Sequence, residues 1–139
     1  MHKHGKPTLA LFYCQNIPQS DETDRQTLET KYGGSIRFFP IPCSGRLEPI
    51  HLLKALEEFA DAAYVITCPD GACKYFEGNR RARKRVEHTR VIIKSIGLEG
   101  ERVGVIVGSH DETETLAHQA ERLADRVSAL PPSPLHARK

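Results

Sequence analysis

Long hydrophobic runs are missing from this chain of 139 residues. Stretches such as Ala62-Ala63-Tyr64-Val65-Ile66 fall far short of the ~20 apolar residues a helix needs to cross a bilayer. The mean hydropathy is -0.46, so no membrane span is expected. An excess of charge of one sign is missing too. Twenty Lys and Arg stand against 18 Asp and Glu, too even a balance for a nucleic-acid partner recognised through bulk charge. No G-x-G-x-x-G or P-loop sequence occurs, which argues against a nucleotide site. Internal repeats and low-complexity segments are absent, and no small-residue cleavage site follows the basic start Met1-His2-Lys3-His4-Gly5-Lys6-Pro7. The expected compartment is therefore the cytoplasm.

With 39% hydrophobic and 27% charged residues, and ten glycines besides, the composition is that of a globular chain. The length suits one domain, expected over residues 8–130 between a flexible start at 1–7 and a disordered tail at 131–139 that opens Pro131-Pro132-Ser133-Pro134. A domain of this size buries enough surface to fold without metal or disulfide staples, so a metal site would serve another purpose.

Thr8 to Cys14 is nearly all apolar and reads as a strand covered on both faces. Ser20 or Asp21 can cap a helix through about Tyr32, stopped by Gly33-Gly34. Ser35 to Pro42 reads as a second strand, and Pro49 opens a helix whose Ile50, Leu52, Leu53, Leu56 and Phe59 share one face. Ala62 to Thr67 is the third strand. Asn79 is placed to cap a helix from about Arg80 to Ile96, ended by Gly97. Arg102 to Ser109 is the fourth strand and Asp111 to Leu130 the last helix. This alternation predicts an α/β fold, a small flavodoxin-like three-layer sandwich with a four-stranded parallel sheet. In such sheets ligands gather beyond the carboxyl ends of the strands.

Three of the four cysteines, Cys14, Cys43 and Cys68, fall at the ends of three different expected strands, and Cys73 follows five residues after the last. Their separations are each about one strand-helix unit, so the fold should return all four to one edge. Any single cysteine can be a buried small hydrophobe. Four on one edge of a chain in a reducing compartment point instead to ligation of tetrahedral zinc or an iron-sulfur cluster. The spacing is not the paired C-x2-C of common zinc modules. Gly45 allows close backbone approach, the helix start near Glu48 offers a positive dipole, and Arg46 can pair with an anionic centre. Two other readings use the same residues: a structural zinc-binding or interaction module on all four cysteines, and a dithiol redox enzyme using Cys68 and Cys73.

Pro42-Cys43-Ser44-Gly45-Arg46-Leu47-Glu48-Pro49, Leu53-Lys54-Ala55-Leu56, and Cys68-Pro69-Asp70-Gly71-Ala72-Cys73-Lys74-Tyr75-Phe76-Glu77-Gly78-Asn79 with Ala82 and Arg85-Val86 together resemble the delta subunit family of methyl-viologen-reducing hydrogenase, over roughly Leu9 to Ser109. That resemblance implies a non-catalytic electron-transfer subunit of an oxidoreductase complex. It implies a [2Fe-2S] cluster on Cys14, Cys43, Cys68 and Cys73, with Arg46 beside it. The implied partners are a heterodisulfide-reductase A-like flavoprotein and a hydrogenase or other dehydrogenase, in a hetero-oligomer. Where the family usually carries two or three cysteines after its first strand, this chain has Cys14 followed by Gln15-Asn16-Ile17; Pro69 and Lys74 stand where family histidines are typical.

Arg80, Arg81, Arg83, Lys84, Arg85 and Arg90 make the start of the long helix basic. Such a run is by default a solvated face, and it also suits docking onto an acidic partner. His51, His88, His110 and His118 show no consistent metal spacing.

Overall fold

A computed structural model describes residues 7–14, 17, 19–41, 47–67, 78–107, 115–131, 133 and 134, with backbone alone at 78, 79 and 107. The elements alternate as expected: β1 (Leu9–Cys14), α1 (Glu22–Tyr32), β2 (Ile36–Ile41), α2 (Pro49–Glu58), β3 (Ala62–Thr67), α3 (Gly78–Ser95), β4 (Val103–Val107) and α4 (Leu116–Val127). The four strands form one parallel sheet in the order β2-β1-β3-β4. β1 and β3 lie at its centre, and every residue of both is buried, which is why their sequences are apolar runs rather than alternating patterns.

Helices cover both faces. Leu28 of α1 and Leu116, Ala120, Leu123 and Val127 of α4 pack on Leu9, Leu11, Tyr13, Phe38 and Tyr64. On the opposite face Leu52 and Leu56 of α2 and Val86 and Ile93 of α3 pack on Ala10, Phe12, Val65 and Val103. Ile50, expected on the same face of α2, is exposed instead, because at about 100° per residue it lies well around the helix from Leu52 and Leu56. This is the expected α/β three-layer sandwich. Among the described residues no helix is long and apolar enough to cross a membrane.

Local signals account for the element ends. Asp21 caps α1, its Oδ1 accepting the Asp24 N–H at 2.8 Å, and Gly33 ends it at φ +60°. Several ends differ from those expected, among them the end of α4 at Val127 rather than Leu130 and three starts. α3 starts at Gly78, so Asn79 lies inside the helix. β4 starts at Val103, because Gly100–Arg102 is a turn of 3-10 helix with Arg102 fully buried. α4 starts at Leu116, capped by Thr115 Oγ1, which accepts the His118 N–H at 3.2 Å; residues 111–114 lie outside the described residues. At β4, Gly104 lies under Tyr64. A Cβ there would come within 2.3 Å of Tyr64 Cε2, so only glycine leaves room for the ring, whose Oη donates to the Glu101 carbonyl at 2.8 Å.

The amino ends of the strands are tied by charge and backbone together. Arg102 donates from Nη1 to the Asp61 carbonyl and from Nη2 to the Pro131 carbonyl, each at 2.9 Å, and from Nε to Glu99 Oε1 at 2.7 Å. The Asp61 carboxylate accepts the Thr8 N–H at 2.9 Å and the Ser133 N–H at 2.8 Å, and Ser133 is fully buried. The segment expected to be disordered from residue 131 is thus held at Pro131 and Ser133. Its backbone groups are captured by side chains far away in sequence, a contact that proline content does not announce.

Candidate functional site

From β1 the chain crosses to β2 with α1 on one face; from β2 it passes back over β1 to β3 with α2 on the other face, and α3 stays on that second face. The connections therefore leave β1 and β3 in opposite directions. The carboxyl ends of these two strands are the topological switch point, where doubly wound sheets bind ligands.

Cys14 is the last residue of β1 and stands at this point. It is buried, 1% exposed, in a cluster with Tyr13 and Ile17. The Cys14 carbonyl accepts the Ile17 N–H at 3.1 Å, and the Ile17 carbonyl accepts from Ser20 Oγ at 2.6 Å. Gln19 adopts a left-handed φ of +54°. Burial pushes the neighbouring Tyr13 phenol up to about 12.

Cys43, Cys68, Cys73 and Arg46 lie outside the described residues. The strand ends show where the chain departs toward them. Ile41, the final residue of β2, is the register partner of Cys14 and precedes Cys43 by two residues. Thr67, the final residue of β3, is directly followed in sequence by Cys68. Among the described residues no group of three or more Cys, His, Asp and Glu side chains could hold a metal ion.

Leu47 is buried, and Glu48 precedes α2, its N–H donating to His51 Nδ1 at 2.9 Å. That contact gives His51 a capping role. α3 runs antiparallel to the strands, so its amino end lies on the carboxyl side of the sheet. There Arg80, Arg81, Arg83 and Lys84 are exposed. Arg85 is different: its side chain is 29% exposed, Nη1 donates to the Leu47 carbonyl at 3.0 Å, and Nη2 lies 3.6 Å from Glu48 Oε2. By sequence alone Arg85 belongs to a basic run expected to be a solvated face. The signal against that is its position between Ala82 and Val86, two of the buried residues that, with Thr89 and Ile93, form the inner stripe of the helix.

Residues 9–131 match the family of methyl-viologen-reducing hydrogenase, delta subunit. The chain belongs to this family. Among delta-subunit relatives, the D-type iron-sulfur subunit of the vhu F420-non-reducing hydrogenase of Methanocaldococcus jannaschii is 27% identical over 131 residues, covering 94% of this chain and 98% of its own. The D-type iron-sulfur subunit of the vhc F420-non-reducing hydrogenase of Methanococcus voltae is 30% identical over 135 residues, covering 97% and 94%. The chain is also similar to part of a longer protein, the A-type subunit of the ferredoxin/F420H2-dependent CoB-CoM heterodisulfide reductase of Methanosarcina acetivorans. That match is 29% identical over 133 residues, 94% of this chain and 16% of the reductase protein.

Proposed function

We propose that the chain is a non-catalytic electron-transfer subunit that holds a [2Fe-2S] cluster through Cys14, Cys43, Cys68 and Cys73. The observation that carries this reading is the position of Cys14: buried, at the switch point, with the neighbouring strands ending two residues before Cys43 and one before Cys68. Thiolates are the donors that iron-sulfur clusters and soft metal ions prefer. The apolar surroundings of Cys14 shield its sulfur from water, and solvent exposure is one of the determinants of a cluster's potential. When bound, such a cluster supplies one-electron transfer.

The chain's own part is to gather the thiolates at the rim of a rigid sheet over residues 8–130 and to present that rim to partners. Arg46 serves to anchor a partner or to tune the site through its charge. The relatives' names support an iron-sulfur subunit of a hydrogenase. Similarity to a stretch of the A-type heterodisulfide reductase protein fits a subunit that relays electrons from a hydrogenase or other dehydrogenase to such a flavoprotein, in a cytoplasmic hetero-oligomer. The exposed Arg80, Arg81, Arg83 and Lys84, on the same side of the sheet as the candidate site, suit docking onto an acidic partner surface.

Metal and sulfide analysis after strictly anoxic purification tests the reading. About two irons and two acid-labile sulfides per chain support it. One zinc per colourless chain overturns it in favour of the structural module.

A further inference from the structure

β4 is an edge strand: it pairs with β3, and among the described residues no segment is hydrogen-bonded along its other side. The backbone shows which of its groups face outward. The Val103 N–H donates to the Gly100 carbonyl, and the Val103 carbonyl accepts from Arg90 Nη2 at 3.0 Å, so both groups are used off the β3 ladder. Strand geometry repeats every second residue, which turns the N–H and C=O of Val105 to the same outer side. Among the described residues no group bonds to them there. An open edge of this kind is a template for one further strand.

A groove surrounds that edge. At its amino half a cavity of about 620 Å³ opens between α3 and the end of α4, with Gly104 and Val105 at its base, Arg90 and Lys94 on one side, and Arg126 and Leu130 on the other. A second cavity, of about 560 Å³, continues from Arg126 past Ile106 to Arg122. Val105 and Ile106 are only half-buried here, whereas every residue of β1 and β3 is buried.

Charge decides what the groove takes. Its charged side chains are Arg90, Lys94, Arg122 and Arg126 against Glu101 and Asp125. Arg90 pairs with Glu87, while Lys94 and Arg126 are exposed and form no ion pair among the described residues. A second copy of the chain docked edge to edge would set these cations against their own counterparts, and like charges repel. A carboxylate-bearing strand meets opposite charge on both sides, because its successive side chains point alternately to the α3 side, with Lys94, and the α4 side, with Arg126.

We propose that β4 is a docking strand: an extended acidic segment of a partner protein adds to its outer edge as a fifth strand, held by backbone hydrogen bonds to Val105 and by the charges of Lys94 and Arg126. This surface involves none of the cysteines, so the proposal stands apart from the metal reading. The groove follows about four residues of β4, roughly 13 Å, so the contact is small and adds to binding made elsewhere on the partner.

The test offers the full chain a fluorescein-labelled hexapeptide of alternating Glu and Val, read by fluorescence anisotropy and by hydrogen exchange of the β4 segment. Wild type should bind it with slowed exchange over residues 103–107, and a peptide of alternating Lys and Val should leave β4 unprotected. Lys94→Glu/Arg126→Glu should bind the acidic probe at least about tenfold more weakly. Equal binding by the two proteins, binding without protection of β4, or no binding at millimolar probe overturns the proposal. Should the charge-reversed variant not fold, Lys94→Gln/Arg126→Gln decides: weaker binding than wild type supports it and equal binding overturns it. Protection of β4 that grows with protein concentration without any probe, together with a dimer in sedimentation, assigns the edge to a second copy and overturns it. Equal protection by sodium glutamate at matched carboxylate concentration assigns the groove to small anions and does the same.

Discussion

Cys14 stands directly opposite Ile41 across the β1–β2 ladder, so the last rung of that ladder joins the one described cysteine to the residue from which the chain departs toward Cys43. This relationship separates two roles for Cys14. As a core residue among Tyr13 and Ile17 it fills space, and Cys14→Ala should cost about 1 kcal/mol or a little more in folding stability. As a ligand it is irreplaceable by a methyl group, so the same variant should lose most of its iron. Iron per chain and the urea midpoint, measured together, check this. Full iron content in Cys14→Ala would assign the residue to packing alone.

Arg102 should be the costliest single surface-to-core link to break. Arg102→Ala removes the donors from the carbonyls of Asp61 and Pro131 and the partner of Glu99. An expected loss of about 2–4 kcal/mol follows from leaving these acceptors without their donors. Removal of residues 131–139 should cost less, about 1–2 kcal/mol, since it gives up the Pro131 and Ser133 contacts while Arg102 keeps Asp61 and Glu99. Urea unfolding of both variants checks the order.

Stability should fall in alkali through Tyr13. Its phenol is pushed up from 10.0 to about 12, chiefly by burial, and Tyr64 and Tyr32 are raised for the same main reason. Between pH 10 and about 12 the folded chain keeps a proton that the unfolded chain releases, so unfolding is favoured as the pH rises. Stability from this group is intact below pH 10 and is lost progressively up to about 12, by about 2–3 kcal/mol for Tyr13. Chemical unfolding at several pH values, with Tyr13→Phe as control, should show that variant losing most of the slope. An unchanged slope would refute the assignment.

Charge reversal of Arg80, Arg81, Arg83 and Lys84 to Glu should slow association with the proposed partner, a heterodisulfide-reductase A-like flavoprotein, by at least about tenfold at low salt. It should also flatten the dependence of the rate on ionic strength. These side chains are exposed, so the thermal midpoint should move little. Stopped-flow association measured across a salt series checks both effects, and an unaltered rate would place the docking face elsewhere.

The layers were readable where the signals are local. Apolar runs at 9–14 and 62–67 mark strands buried on both faces, Asp21 and Gly33 bracket α1, and Pro49 opens α2. Cys14 at the end of its strand follows from the same reading. What escaped it depends on partners distant in sequence. Arg85 and Arg102 look like any other basic residue along the chain, and only tertiary contacts with Leu47, Asp61 and Pro131 make them structural. The hold on Ser133 was hidden for the same reason, since it comes from Asp61, 72 residues away. The starts of α3 and α4 moved by a few residues, because caps and loops compete over short distances that periodicity does not resolve.

In the proposed arrangement Cys14, Cys43, Cys68 and Cys73 share one redox centre. Its most direct test is the spin count of the anoxically purified, chemically reduced protein by electron paramagnetic resonance. Close to one unpaired electron per chain is expected, alongside about two irons, with loss of that signal in Cys43→Ser and in Cys73→Ser. A reduced protein without spin, or one whose signal survives both substitutions, would contradict it.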